Sequence, residues 1–172
     1  MSGIFQKKSL EKATPREHKE FKNEVFLPYV VSLLDGKKTV TIPLKGISMR
    51  PFLEDKRDAA LITKPGEVKE WDPVLAEIEP GHFVLHRILK ISGEDVTLLG
   101  DGNLRCEYCK KADIRAAVVG FYRKGRKKLD RTDGWKWRTY SWIWMHLLPV
   151  RRYFLSAHSR IWLKIFKPKT RI

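Results

Sequence analysis

Residues 74–99, VLAEIEPGHFVLHRILKISGEDVTLL, contain the pattern that decides the fold. Apolar and β-branched residues fill three runs, which are separated by Pro-Gly and by Gly-Glu-Asp. Short runs of this kind between turn residues predict antiparallel strands that are joined by hairpins. We therefore predict strands over 74–79, 83–92 and 95–99.

Further strands are predicted on both sides of this stretch, over 39–44, 59–63 and 116–123. Many short strands at close spacing indicate a mainly β, α+β fold, a small coiled β-sandwich or barrel. Before the first strand, residues 9–34 place apolar side chains at helical spacing, which predicts a helix. Gly36 is suited to end that helix, because glycine adopts the left-handed backbone of a C-cap.

Charge is distributed unevenly along the 172 residues, which have a net charge of +15. Residues 121–172 contain 15 Lys and Arg, only two acidic residues and five of the six tryptophans, whereas 1–120 are nearly neutral. We therefore predict a helical segment over 1–36, a β domain over 37–124 and a basic, aromatic, helical tail over 125–172. Pro149 is expected to divide the tail helix.

The tail composition predicts peripheral contact with an anionic membrane, because Trp favours the headgroup region and Lys and Arg favour acidic lipids. No run of about 20 apolar residues and no secretory signal is visible. The expected location is therefore the cytoplasm, on the inner face of the membrane. The alternative is a tail that packs on the β body. Nucleic acid is a less favoured partner, because no DNA- or RNA-binding signature is present.

Three polar residues of the body could perform chemistry together: Ser48, His86 and Asp101. A serine hydroxyl needs a nearby base, and a histidine titrates near neutrality. A carboxylate at the far ring nitrogen would fix the tautomer of that histidine. Each residue alone is more typical of a structural role, since Gly-Asp-Gly-Asn is also an ordinary turn sequence.

Ser48-Met49-Arg50-Pro51 resembles the Ser-Met-x-Pro box of the signal peptidase I and LexA-like serine peptidases. Residues 84–88, with their His-Arg pair, resemble the second box of that superfamily, and Asp72 matches an aspartate between the two boxes. Gly100-Asp101-Gly102-Asn103 resembles the later Gly-Asp-Asn box with one glycine inserted. Because the base position holds a histidine, the chain is similar to the histidine branch, found in the endoplasmic-reticulum and archaeal enzymes, as a soluble bacterial-type member.

The resemblance implies a serine endopeptidase that cleaves a leader or signal-like peptide, with Ser48 as nucleophile and His86 as general base. Asp101 would be the third member of a triad or a structural aspartate. Met49 and Pro51 are implied substrate-binding residues, and no cofactor or metal is implied. The alternatives are a member of the same fold that binds peptides without cleaving them, or a basic nucleic-acid-binding or regulatory protein.

Two features depart from the family or stand outside it. Signal peptidases usually have a membrane anchor before the serine box, where this chain has a charged, amphipathic helical segment. Self-cleaving LexA-type repressors are disfavoured, because no Ala-Gly or Cys-Gly dipeptide occurs. Cys106 and Cys109 form a lone CxxC, which lacks the four ligands that zinc requires. We expect two ordinary loop cysteines, with a redox or metal pair as the alternative.

Overall fold

A computed structural model describes residues 23–34, 38–124, 126 and 128–165. In this part of the chain, eight strands form one antiparallel sheet, with helices before and after it. The prediction of a mainly β, α+β fold is therefore confirmed.

The strands are β1 Thr39–Pro43, β2 Ala59–Thr63, β3 Pro73–Glu79, β4 His82–Ser92, β5 Asp95–Leu99, β6 Glu107–Lys110, β7 Ile114–Tyr122 and β8 Asp130–Arg131. The helices are α1 Asn23–Leu33, α2 Trp135–His146 and α3 Arg151–Ile165, and single 3₁₀ turns lie at Lys111–Asp113 and Leu148–Val150. All six predicted strands are present within two residues of their expected ends. Strands β6 and β8, the two shortest, were not predicted from the sequence.

The strand order β1-β2-β7-β3-β4-β5-β6 brings the predicted boxes together. Hairpins join β3 to β4 and β4 to β5, and they place Val74 opposite His86 and Leu99 opposite Arg87. Strands β3 and β6 also contact each other although two strands separate them, so the sheet is strongly coiled. Because the sheet is coiled, β6 lies close to the part of β4 that contains His86.

The core consists of two clusters of buried side chains. The larger cluster packs α1, α2 and the loop after β1 against the sheet, with Val30, Leu53, Phe121 and Trp137 among its members. The smaller cluster fills the coil formed by β3, β4, β5 and β7. The alternation of side chains along each strand explains the two clusters, because neighbouring residues leave opposite faces of the sheet.

The helix predicted over 9–34 is observed from Asn23 to Leu33. Residues 9–22 and Gly36 of that prediction lie outside the described residues. Proline divides the tail helices as predicted, since α2 ends at His146, Pro149 lies in a single turn and α3 begins at Arg151.

Helix α2 packs on the β body, as the alternative for the tail proposed. Its Trp137, Ser141, Trp144 and Met145 are buried, whereas in α3 Arg151 is buried and most other described side chains are exposed. None of the described helices combines the length and the apolar character that a bilayer crossing requires.

Candidate active site

Ser48 lies in the loop that joins β1 to β2, and hydrogen bonds close this loop on itself. Gly46, at φ +96°, donates its N–H to Asp55 Oδ1 over 2.7 Å. The Arg50 N–H donates to the Ile47 carbonyl over 3.1 Å, which makes a tight turn around Ser48. Any residue other than glycine would be strained at this positive φ, so the backbone conformation at position 46 favours glycine.

Asp58 stabilises the end of the same loop through hydrogen bonds. Its carboxylate accepts the Glu54 N–H over 3.0 Å, the Lys124 N–H over 3.2 Å and two bonds from Arg57. Burial alone would raise the pKa of Asp58, but these hydrogen bonds outweigh burial and lower it. The loop is therefore anchored to the strand end of β7 by a charged group.

The Gly100-Asp101-Gly102-Asn103 loop follows β5 and packs directly on the Ser48 segment. The Gly102 N–H donates to the Ser48 carbonyl over 2.7 Å. A β-carbon at Gly100 would lie 2.5 Å from the Ser48 carbonyl oxygen and 2.9 Å from His86 Nε2. A β-carbon at Gly102 would lie 2.8 Å from the Ile47 carbonyl oxygen. Both glycines therefore permit a close approach of the two loops that a β-carbon would prevent.

His86 is buried on β4 with its two ring nitrogens in different surroundings. Nε2 faces Gly100 and the Ser48 segment, and Nδ1 lies 2.6 Å from Glu107 Oε2. These two atoms are at ion-pair distance without the angles of a hydrogen bond, and neither has another polar partner among the described residues. Nor does the Ser48 hydroxyl donate or accept a hydrogen bond within the described chain.

Burial lowers the pKa of His86 below 6.5, and the carboxylates of Glu107 and Asp101 oppose this effect without cancelling it. Burial therefore favours the neutral form of the imidazole. A neutral imidazole can accept a proton at Nε2, which is what a general base beside a serine has to do. Glu107 lies where it can stabilise the positive charge that follows.

Asp101 is fully buried, and its carboxylate is directed to cations and not to His86. Arg87 donates to both Asp101 oxygens, each over 2.9 Å, and Tyr140 donates its hydroxyl over 3.1 Å. No hydrogen bond joins Asp101 to His86 among the described residues. The Asp101 carboxylate thus contacts Arg87 and Tyr140, and the carboxylate that lies beside Nδ1 of His86 is that of Glu107. The reason is strand alternation, since Arg87 and His86 are neighbours on β4 and point to opposite faces.

Side chains of helices α2 and α3 donate hydrogen bonds to the loop that contains Gly100 and Asp101. Arg151 donates to the Asp101 carbonyl over 2.7 Å and to the Gly100 carbonyl over 3.2 Å, and Trp144 Nε1 donates to the Asp101 carbonyl over 3.2 Å. Arg87 donates to Ser141 Oγ over 2.7 Å. The basic, aromatic tail therefore contributes directly to the position of the Gly100 loop.

Four residues that surround the site were not predicted from the sequence: Glu107, Arg87, Tyr140 and Arg151. Glu107 lies on β6, a strand of four residues that was interpreted as a loop around the two cysteines. The sequence did contain a signal for Arg87, because this residue is the arginine of the His-Arg pair. Tyr140 and Arg151 had none, since only tertiary packing brings the tail to Asp101.

The implied substrate-binding residues lie close to Ser48 but are not equally accessible. Met49 is 6% exposed and belongs to the larger core cluster, so it packs inward and does not line an open cleft. Pro51 is half-buried and follows a cis peptide bond. Asp72 forms a turn in which it accepts the Lys69 N–H over 2.9 Å.

Cys106 and Cys109 are both free. Cys109 lies on β6, and three residues of extended chain span about 10 Å, which exceeds the Cα separation of a disulfide. Burial raises the pKa of the Cys109 thiol, so it resists ionisation. No cluster of three or more His, Cys, Asp or Glu side chains suited to a metal ion occurs in the described part of the chain.

No known family model matches the chain, and no curated protein is significantly similar to it. In this mainly β protein, the Ser48 segment and the buried His86 meet at Gly100, and the partly exposed Glu107 lies at the opposite ring nitrogen of His86.

Proposed function

We propose that this protein is a serine endopeptidase in which Ser48 is the nucleophile, His86 the general base and Glu107 the carboxylate that supports the base. The observation that carries the proposal is the convergence at Gly100. There, a β-carbon on Gly100 would lie 2.5 Å from the Ser48 carbonyl oxygen and 2.9 Å from His86 Nε2. At the opposite ring nitrogen, Glu107 is 2.6 Å away.

In this mechanism, Nε2 of His86 takes the proton from the Ser48 hydroxyl as Oγ attacks the carbonyl carbon of the scissile peptide bond. The Ser48 N–H, which bonds to no backbone carbonyl among the described residues, is available to the oxyanion. The imidazolium then gives its proton to the leaving amine, and an acyl-enzyme forms. Water repeats these steps, with His86 as base, and releases the carboxylic acid and the free serine.

Leader or signal-like peptides are the substrates that this proposal favours, on the strength of the resemblance around Ser48 and His86. We further place the enzyme at the inner face of a membrane, as a peripheral protein. The support is the composition of α2 and α3, which combine exposed aromatic side chains with Lys and Arg and contain no acidic residue.

The test is a peptidase screen with leader peptides that have small residues at the cleavage site. We expect Ser48→Ala and His86→Ala each to abolish turnover while the melting temperature stays close to that of the wild type. Ser92→Ala, at an exposed serine on the same strand as His86, is the matched control and should leave turnover unchanged. Unchanged turnover in Ser48→Ala would refute the mechanism.

An inactive, peptide-binding protein is the second candidate, and it is favoured by the absence of a hydrogen bond at the Ser48 hydroxyl among the described residues. Apo serine enzymes often tighten this contact only when substrate binds. The two candidates differ in one measurement. An active-site-directed fluorophosphonate should label Ser48 in an enzyme, and it should fail to label a protein that only binds peptides.

A further inference from the structure

Exposed apolar side chains lie on both sides of the turn between α2 and α3, and we call residues 142–154 the elbow. Trp142, Ile143, Val150, Tyr153 and Phe154 are all between 41% and 59% exposed. Side chains of this size are normally buried, and clustered exposure marks an interaction surface.

The aromatic surface of the elbow continues onto the β body. The His146 ring lies 4.3 Å from the Trp142 ring and 6.5 Å from the Trp71 ring, measured between centroids. Trp71 precedes β3 and is itself 37% exposed. The exposed rings therefore form one connected patch from the loop before β3 to α2.

The charged side chains of the segment that contains the elbow have one sign only. Residues 134–165 contain six Lys and Arg and no Asp or Glu. Of these basic side chains, Lys136, Arg138, Arg152 and Arg160 are exposed. The surface thus combines large aromatic side chains with positive charge. A complementary partner offers both apolar groups and negative charge.

We infer that the elbow docks on the headgroup layer of an anionic lipid bilayer. Trp and Tyr rings favour that layer, and Arg can reach lipid phosphates while its stem remains in apolar surroundings. A second copy of the chain is a poorer occupant, because a symmetric contact would bring the same basic residues against each other.

Docking at the elbow would also determine where the active site lies. Arg151, inside the elbow, donates to the Gly100 and Asp101 carbonyls, and the next residue, Gly102, donates to Ser48. The nucleophile is therefore rigidly connected to the docked surface. This consequence rests on the proposed peptidase function, and it identifies the substrates as peptides held at the surface of an anionic membrane.

The test is sedimentation of the full chain with vesicles, carried out with Ser48→Ala so that binding is measured independently of turnover. We expect binding to phosphatidylglycerol vesicles to be at least about tenfold stronger than binding to phosphatidylcholine vesicles, and to weaken as salt is added. The double variant Trp142→Ala, Phe154→Ala should lose about tenfold or more in binding. Tyr29→Ala, which removes an equally exposed ring from α1, is the matched control.

Ile143→Glu provides a second variant that leaves the rings in place, and thermal melting reports whether each variant is folded. The inference is overturned if the folded variants bind vesicles as the wild type does, or if neutral vesicles bind equally well. It is also overturned if excess duplex DNA strips the protein from acidic vesicles, or if the double variant changes only the molecular mass in solution. Vesicle binding that persists without turnover would refute the peptidase and leave the docking surface intact.

Discussion

Glu107→Gln is the substitution that tests the candidate active site most directly. It keeps the size of the side chain and removes the negative charge 2.6 Å from His86 Nδ1. The Glu107 side chain is 29% exposed and makes no other ion pair among the described residues, so the fold should tolerate the change. The expected loss is therefore in rate and not in stability.

The size of the loss follows from the pKa of the imidazole. An opposite charge at this distance shifts a pKa by about 1 to 3 units, and each unit is a factor of ten in the stability of the charged form. The imidazolium forms as Ser48 attacks, so kcat/KM should fall by about 10-fold to 1,000-fold. Partial exposure of Glu107 to solvent favours the lower half of that range.

The pH profile provides a second readout with a defined sign. Burial holds the pKa of His86 below 6.5, and only the neutral form can act as base, so activity should rise with pH through a midpoint below 6.5. Glu107 raises this pKa, whereas His82 lowers it further. Glu107→Gln should therefore move the acidic limb to still lower pH. Because the folded pKa is depressed, the fold itself should lose stability as pH falls below 6.5.

Asp101→Asn is the comparison that decides which of the two carboxylates, Glu107 or Asp101, supports His86. It leaves the buried Arg87 and Arg151 without their carboxylate, which should destabilise the fold by about 3–5 kcal/mol, or about 10 °C in melting temperature. If Glu107→Gln kept full activity and an unshifted profile while a folded Asp101→Asn lost its activity, Asp101 would be the triad carboxylate and the role given to Glu107 would be wrong.

Two further predictions concern the loop that follows β5. Gly100→Ala should abolish activity and cost about 1–3 kcal/mol of stability, because its β-carbon would press on the Ser48 carbonyl and on His86 Nε2, whereas Gly66→Ala, with open space around the β-carbon, should change neither. A stable, active Gly100→Ala would show that these segments are not close-packed. Arg151→Met should lower the free energy of unfolding by about 3 kcal/mol in a denaturant titration, because three hydrogen bonds to the Gly100 and Asp101 carbonyls disappear. A loss under 1 kcal/mol would mean that the tail does not hold the loop.

The local sequence was sufficient to predict those elements whose conformation depends mainly on neighbouring residues. Alternating β-branched residues between Pro-Gly and Gly-Glu-Asp turns predicted β3, β4 and β5 within about a residue, because hairpin register depends on neighbouring residues. The break at Pro149 was equally predictable, since proline cannot continue a helix. The resemblance predicted roles for Ser48 and His86, which both pack against Gly100, and those roles stay a prediction.

Tertiary structure decided the partners of the charged groups. Glu107 reaches His86 only because the sheet coils and brings β6 back toward β4, and a four-residue strand is too short for its pattern to be recognised. Asp101 pairs with Arg87, Tyr140 and Arg151, which are separated from it by 14 to 50 residues. Local patterns contain no information about such distant contacts, because they depend on which buried charges meet when the helices and the sheet pack together.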